Sequence, residues 1–196
     1  GMTETLSHIA LRRLSGPDAS SWYEPFANVN VSTTNEGCLI INAPDVCAST
    51  LVTNDIAEIA PDGRHFRIRG RKDNVVCSGG IKMQIEEIEA KLQPVMDVPF
   101  IITKRPDAKF GETVVLLAEI KRDGIDTLEG KETLGGKDTL GGKEILEKIK
   151  AACKARLSKY EQPHVFIVLD RLPMTETGKP ARAEAMKIAA AYDGNL

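Results

Sequence analysis

Three short stretches gather carboxylate, hydroxyl or cationic side chains, the second and third of them beside glycines. The first is Thr53-Asn54-Asp55, and the second runs from Gly70-Arg71-Lys72-Asp73 through Ser78-Gly79-Gly80 to Glu87-Ile88-Glu89. The third is Leu172-Pro173-Met174-Thr175-Glu176-Thr177-Gly178-Lys179-Pro180-Ala181-Arg182. Taken singly, each has an ordinary reading. Asp55 is a helix cap or a surface carboxylate, and Arg71 is a salt-bridged surface cation. Gly79-Gly80 is a bend, and Thr177-Gly178-Lys179 is a solvated turn. Thiolate-metal chemistry is disfavoured. Cys38, Cys47, Cys77 and Cys153 contain no CxxC pair and are accompanied by only three histidines, whereas zinc needs closely spaced ligand pairs. The plain reading is four reduced thiols in a cytoplasmic protein.

The elements that must position these stretches follow from pattern. Residues 1–70 read as β-rich, with short apolar or alternating runs at 29–31, 38–41, 56–59 and 65–68. Asn35-Glu36-Gly37 and Pro61-Asp62-Gly63 punctuate them as turns. Four short strands without a helix imply part of a barrel or sheet whose remaining strands lie elsewhere. After Gly70-Arg71 the pattern changes. A strand at 75–77 precedes a helix over 82–93, with Ile85, Ile88 and Leu92 on one face. Strands follow at 99–103 and 113–121. A helix over 143–159 buries Leu146, Ile149, Cys153 and Leu157. A strand at 165–169 and a helix over 181–191 close the order. The fold class expected is α+β, with a partial, barrel-like β-rich segment followed by a small domain whose short sheet is flanked by helices. Within the small domain, before its second helix, Gly130–Gly135, Gly136–Gly141 and Gly142–Glu147 form a six-residue repeat. It fits neither helical nor heptad period and predicts a mobile surface insertion over 130–142.

Composition excludes several functions. Hydrophobic residues at 42% and charged residues at 28% are those of a globular chain, not a disordered tail. A formal net charge of −2 supplies no basic field for a polyanion, so nucleic acid is not an expected partner. No apolar run is long enough to span a bilayer.

Together, in this order and with these gaps, the three stretches resemble the adenylate-forming superfamily of acyl-CoA synthetases, luciferases and peptide-synthetase adenylation domains. Gly1-Met2-Thr3-Glu4 matches that family's YGxTE motif without its tyrosine. Gly1 reads either as an expression scar before Met2 or as the native residue of a motif cut at its start. Thr53-Asn54-Asp55 matches TGD with Asn54 in place of glycine. The middle stretch matches GRxDxxI..GG....EIE, and the third matches LPxTxxGKxxR. The likeness covers nearly the whole chain apart from the repeat. The family's Ser/Thr/Gly-rich phosphate loop, which precedes YGxTE, does not occur in this sequence.

The resemblance implies roles. Thr3 contacts a phosphate oxygen and Glu4 helps hold Mg²⁺. Asp55 accepts both ribose hydroxyls of ATP, Phe66 flanks the nucleotide, and Arg71 contacts ribose or phosphate. Lys179 is the catalytic residue at the α-phosphate. Gly79 and Gly80 line the channel for the pantetheine arm of coenzyme A, and Asp73 is the hinge. Domain limits follow: 1–70 as the remainder of a large amino-terminal adenylation domain, 71–73 as hinge, and 74–196 as the small domain. The partners implied are the rest of the large domain, a small carboxylate, ATP and CoA. Val75–Gly80 resembles the acyl-CoA synthetase form rather than the peptide-synthetase form. Stretches 1–12 and 79–89 look most like the o-succinylbenzoate–CoA ligases of menaquinone biosynthesis. Another aromatic or fatty acid is the alternative substrate. A stand-alone binding module without activity is the alternative of a different class. The expectation is that these 196 residues alone are inactive.

Overall fold

Apolar residues that alternate with polar ones make strands with one buried face, and the first seventy residues are built that way. The computed structural model describes residues 1–120 and 140–192. The chain divides into two compact units, Gly1–Asn74 and Val75–Leu196. In the first, β1 (Ala10–Leu11) pairs antiparallel with β2 (Glu24–Pro25). Strands β3 (Asn30–Thr33), β4 (Cys38–Asn42), β5 (Leu51–Ile59) and β6 (Phe66–Arg71) form an antiparallel meander in chain order. Its buried face carries Leu39, Ile41, Ala57 and Phe66, packed with Ile9 and Ala10. Strand β5 starts five residues before the expected 56. The polar Thr53-Asn54-Asp55 stretch therefore lies within a strand, where its composition alone would not place it. The register shift between Ile56 and Ala57 marks a bulge in its pairing with β6.

The second unit is organised by the run Thr113-Val114-Val115-Leu116-Leu117-Ala118, buried at successive positions because both faces are covered. This run lies in β10 (Gly111–Glu119), which follows β7 (Val75–Ser78), β8 (Ile81–Gln84), α1 (Ile85–Leu92) and β9 (Phe100–Asp107). After it come α2 (Leu140–Arg156), β11 (Val165–Leu169) and α3 (Arg182–Ala191). Strand β10 pairs antiparallel with β9 and parallel with β11, and meets the β7–β8 hairpin through Gly111 and Ser78. Val114, Leu116 and Ala118 pack with Ile88 and Leu92 of α1 and with Ile149 and Cys153 of α2. Val115 and Leu117 pack with Ala185 and Ala189 of α3. The sheet thus has helices on both faces, and the α+β class expected from the pattern is the one observed.

The first two helices differ from expectation in their bounds. The helix expected from 82 begins at Ile85, because Ile81–Gln84 pair with Val75–Ser78 as a hairpin. Gly79 and Gly80 have φ of +57° and +82°, the two positive values that a type I′ hairpin turn requires. Cross-strand hydrogen bonds take residues that helical periodicity would otherwise claim. Helix α2 begins at Leu140, so residues 140–142 of the expected insertion are helical. The part of that insertion at 130–139 lies outside the described residues. The helix stops at Arg156 rather than 159, where the Glu161 carboxylate accepts from the Ser158 amide and turns the chain.

Candidate active site

Thr3 and Glu4 sit on a single 3₁₀ turn, Thr3–Thr5, and both are exposed. Thr5 underneath is fully buried, with its hydroxyl 3.1 Å from the Met2 carbonyl and 2.9 Å from the Ser7 carbonyl. A satisfied buried hydroxyl fixes the turn from below and leaves Thr3 and Glu4 pointing outward. Sequence reasoning passed over Thr5, whose only signal is a threonine following the Thr-Glu pair.

Asp55 and Arg71 are directly opposed across β5 and β6. The Arg71 guanidinium donates to Asp55 Oδ1 at 3.2 Å and lies 3.7 Å from Asp73 Oδ2. The Asp55 side chain is 24% exposed and that of Arg71 51%. An ion pair this exposed contributes about 0–1 kcal/mol, so a ligand's hydroxyls can compete for the same carboxylate at little loss. Asn54 stands in β5. Leu6 is the sole non-glycine residue with positive φ among the described residues, so position 54 needs no left-handed backbone. Phe66 is 4% exposed and stacks on Tyr23 with ring centroids 5.4 Å apart. Its ring belongs to the core of the first unit. Asp73 lies in the short 3₁₀ turn Lys72–Asn74, which ends at the boundary between the two units.

In the second unit, the Gly79 amide donates to the Phe110 carbonyl at 2.8 Å. A Cβ at Gly79 would meet Phe110 at 3.7 Å, an ordinary contact, and one at Gly80 would meet nothing within 4 Å. Within this unit the two glycines are therefore required by backbone conformation rather than by space. The hairpin is braced at its base. Lys104 Nζ donates to the Val75 carbonyl at 2.6 Å and pairs with Glu112 at 3.0 Å, while Glu112 accepts from the Cys77 amide at 2.7 Å.

The Lys179 loop is a small hairpin of its own. Met174 and Pro180 form an antiparallel bridge. The Thr175 amide donates to the Lys179 carbonyl at 2.8 Å, and the Gly178 amide donates to the Thr175 carbonyl at 2.9 Å. The Lys179 amide donates to Thr175 Oγ1 at 3.1 Å. Gly178, at φ +74°, takes the left-handed position that closes a three-residue hairpin loop. Lys179 is exposed, and its ammonium has no hydrogen-bond or ion-pair partner among the described residues. The sequence thus fixes the backbone of this lysine while leaving its charge available.

Both ends of the loop are tied to the sheet. At one end the Leu172 amide donates to Glu119 Oε2 at 3.0 Å. At the other, Arg182 makes a two-pronged pair with Glu89, Nη1 to Oε1 at 2.7 Å and Nη2 to Oε2 at 2.6 Å. Arg182 also donates to the Ile102 carbonyl at 2.9 Å, and Glu89 accepts from the Ile102 amide at 2.9 Å. Burial by itself would lower the Arg182 pKa, but the hydrogen bond and charge of Glu89 outweigh it and raise it above the usual value. No cluster of three or more His, Cys, Asp or Glu side chains able to hold a metal occurs among the described residues. Glu4 could give Mg²⁺ one carboxylate, which suits an ion held mainly by substrate phosphates and water.

No protein-family model matches the chain. Proteins with curated descriptions do. "Probable acyl-activating enzyme 4" of Arabidopsis thaliana is 31% identical over 130 residues, 65% of this chain and 20% of that protein. The 2-methylpropanoate–CoA ligase CCL4 of Humulus lupulus is 30% identical over 128 residues, again 65% and 20%. Among solved structures, o-succinylbenzoate CoA synthetase from Bacillus subtilis, in complex with its acyl-adenylate intermediate, aligns with 100% of this chain and 41% of its own at a TM-score of 0.70. Its 22% sequence identity makes that a likeness of fold. The fold is that of the carboxy-terminal part of AMP-forming ligases. The sequence likeness supports the adenylate-forming acyl-CoA synthetase superfamily. The chain spans about a fifth of the length of the curated relatives it matches.

Proposed function

We propose that this chain is the carboxy-terminal part of an ATP-dependent acid–thiol ligase. A carboxylate oxygen attacks the α-phosphorus of ATP, expelling pyrophosphate and forming acyl-AMP. The coenzyme A thiol then attacks the acyl carbonyl, expelling AMP. The observation that carries this reading is the Lys179 loop, whose backbone is hydrogen-bonded in place while its ammonium has no partner among the described residues. Negative charge crowds the transferring phosphoryl group, and a preorganised cation stabilises it.

The other residues take subordinate roles. Asp55, with two acceptor oxygens, suits the vicinal diol of the ribose. Arg71 alternates between Asp55 and a ribose or phosphate oxygen. Thr3 offers a hydroxyl to a phosphate, and Glu4 would help hold Mg²⁺, which would supply positive charge to the phosphates. Asp73 is the hinge, within the short turn at 72–74, and Gly79-Gly80 face the pantetheine arm. The first unit is the remainder of a larger adenylation domain that carries the phosphate loop, and the 196 residues alone do not catalyse. Four free cysteines suit a reducing compartment, and we place the ligase in the cytoplasm. No helix among the described residues is long and apolar enough to cross a membrane.

The acid we propose is o-succinylbenzoate, on the likeness carried by 1–12 and 79–89. The test is acid-dependent ATP–pyrophosphate exchange by the whole ligase with o-succinylbenzoate, benzoate, 2-methylpropanoate and octanoate. Exchange with o-succinylbenzoate above the others supports the substrate. Exchange with a different acid replaces the substrate and keeps the reaction, and exchange with none overturns both.

A further inference from the structure

We infer that Glu89 and Arg182 are positioning residues for the adenylation step, holding the Lys179 loop at the angle from which its ammonium acts. The inference rests on the ligase reading above and adds to it the device that orients the lysine.

Four observations converge. The pair is two-pronged, with the planar guanidinium fork matched to both carboxylate oxygens, the arrangement that adds direction as well as attraction. It is largely sheltered, with side-chain exposures of 25% for Arg182 and 19% for Glu89. It is anchored to the sheet, because the same two side chains satisfy both the amide and the carbonyl of Ile102 in β9. Finally, Arg182 is the first residue of α3, three positions beyond Lys179, and only Pro180 and Ala181 intervene. The Ala181 amide in turn donates to the Pro173 carbonyl at 2.9 Å across the base of the loop. The lysine hairpin therefore hangs from the sheet at two fixed points, Glu89–Arg182 and Glu119–Leu172. Only the first is a charge pair between side chains.

The packing of α3 does not need this pair. Ala185 and Ala189 hold the helix to Val115 and Leu117 through apolar contact. Losing the pair should leave α3 docked while freeing the segment before it to swing. A displacement of about 1 Å at a reacting group can lower a rate ~10²-fold. Lysine at 182 keeps the charge but loses the fork, so it restores only part of the orientation.

The experiment compares Arg182→Gln, Arg182→Lys and the exchanged pair Glu89→Arg with Arg182→Glu, using two measurements. In the 196-residue chain, amide hydrogen exchange is read at Lys179 and Gly178, with Val115 and Leu117 as internal reference. In the whole ligase, single-turnover rates are read for acyl-AMP formation and for thioester formation from supplied acyl-AMP. Arg182→Gln is expected to speed exchange at Lys179 and Gly178 while Val115 and Leu117 keep theirs. It should slow acyl-AMP formation ~10–10²-fold at saturating ATP, with thioester formation little changed. Arg182→Lys should fall between Arg182→Gln and wild type. Recovery of slow loop exchange in the exchanged pair supports the inference. Unchanged loop exchange in Arg182→Gln overturns it, as does equal slowing of both half-reactions, which a simple loss of folded protein would give. If the whole ligase forms no acyl-AMP with any acid the ligase reading fails, and if Lys179→Ala leaves acyl-AMP formation unaffected the role of the lysine fails; in either case the loop exchange still reports on the tie itself.

Discussion

Replacing Gly178 with alanine tests whether the lysine hairpin is held or merely adopted. Gly178 has φ +74°, and a Cβ there would meet nothing within 4 Å. Alanine therefore brings backbone strain and no collision. A left-handed conformation costs an L-residue about 1–2 kcal/mol. Alanine also restricts the unfolded chain more than glycine, which offsets roughly 0.4–1 kcal/mol. The net loss is then about 1 kcal/mol if the loop keeps its shape. The alternative is that the loop opens to escape the strain. Opening breaks the Gly178–Thr175, Thr175–Lys179 and Lys179–Thr175 Oγ1 hydrogen bonds. At about 0.5–1.5 kcal/mol net apiece, their loss outweighs the strain, so the hairpin should stay closed. Urea unfolding followed at the amide resonances of Val115 and Leu117 reads the second unit by itself, which matters in a chain of two compact units. Gly178→Ala should lower its stability by about 1 kcal/mol with the Lys179 amide still protected, and Gly178→Asn should lose less. Full stability together with lost protection at Lys179 would refute the reasoning, because it would mean that the loop is held too weakly to aim anything.

Two further outcomes follow from titratable groups. Asp62 has its pKa lowered from 3.8 to about 2, first by the Arg64 amide and then by the His65 amide and ring. A depressed carboxylate pKa contributes stability that is present above the unfolded value and lost as pH falls through the folded one. The first unit should therefore weaken between pH 3.8 and about 2, and Asp62→Ala should flatten that part of an acid titration followed by circular dichroism. Burial raises the Cys153 thiol from 9.0 to about 11, whereas Cys77 is exposed. At pH 8 a thiol reagent should label Cys77 quickly and Cys153 only on unfolding. Comparable labelling of both in the folded chain would show that the face of the sheet covered by α2 is open.

Helical and strand periodicities were legible where one pattern alone could satisfy the residues. Ile85, Ile88 and Leu92 are buried on α1, and the doubly apolar run in β10 is covered on both faces. The β7–β8 hairpin was not legible, because Gly79-Gly80 serves equally as a bend before a helix, and only pairing with Val75–Ser78 decides between them. The extension of β5 back to Leu51 was hidden by polar residues that a strand tolerates on its open face. The three chemical stretches could be picked out by residue type, but not how each is held. Glu89 and Arg182 are 93 positions apart, and no local pattern announces that they meet. Resemblance puts Phe66 beside the nucleotide, and the structure shows its ring stacked on Tyr23. An aromatic residue at a strand's first position is compatible with either fate until its neighbours are known.

The central claim is that Lys179 supplies charge to the adenylation step, and the measurement that tests it most directly is single-turnover kinetics of each half-reaction in the whole ligase carrying Lys179→Ala. The loop that presents the lysine is closed by backbone hydrogen bonds and by Thr175 Oγ1, none of which involves the ammonium, so the substitution removes a charge and leaves the hairpin. Removing a preorganised group of this kind typically slows the step it serves ~10²–10³-fold, or about 3–4 kcal/mol. The account predicts that loss in acyl-AMP formation, with thioester formation from supplied acyl-AMP much less affected. Equal slowing of both steps, or no slowing of the first, would contradict it and leave Lys179 as a structural residue of its turn.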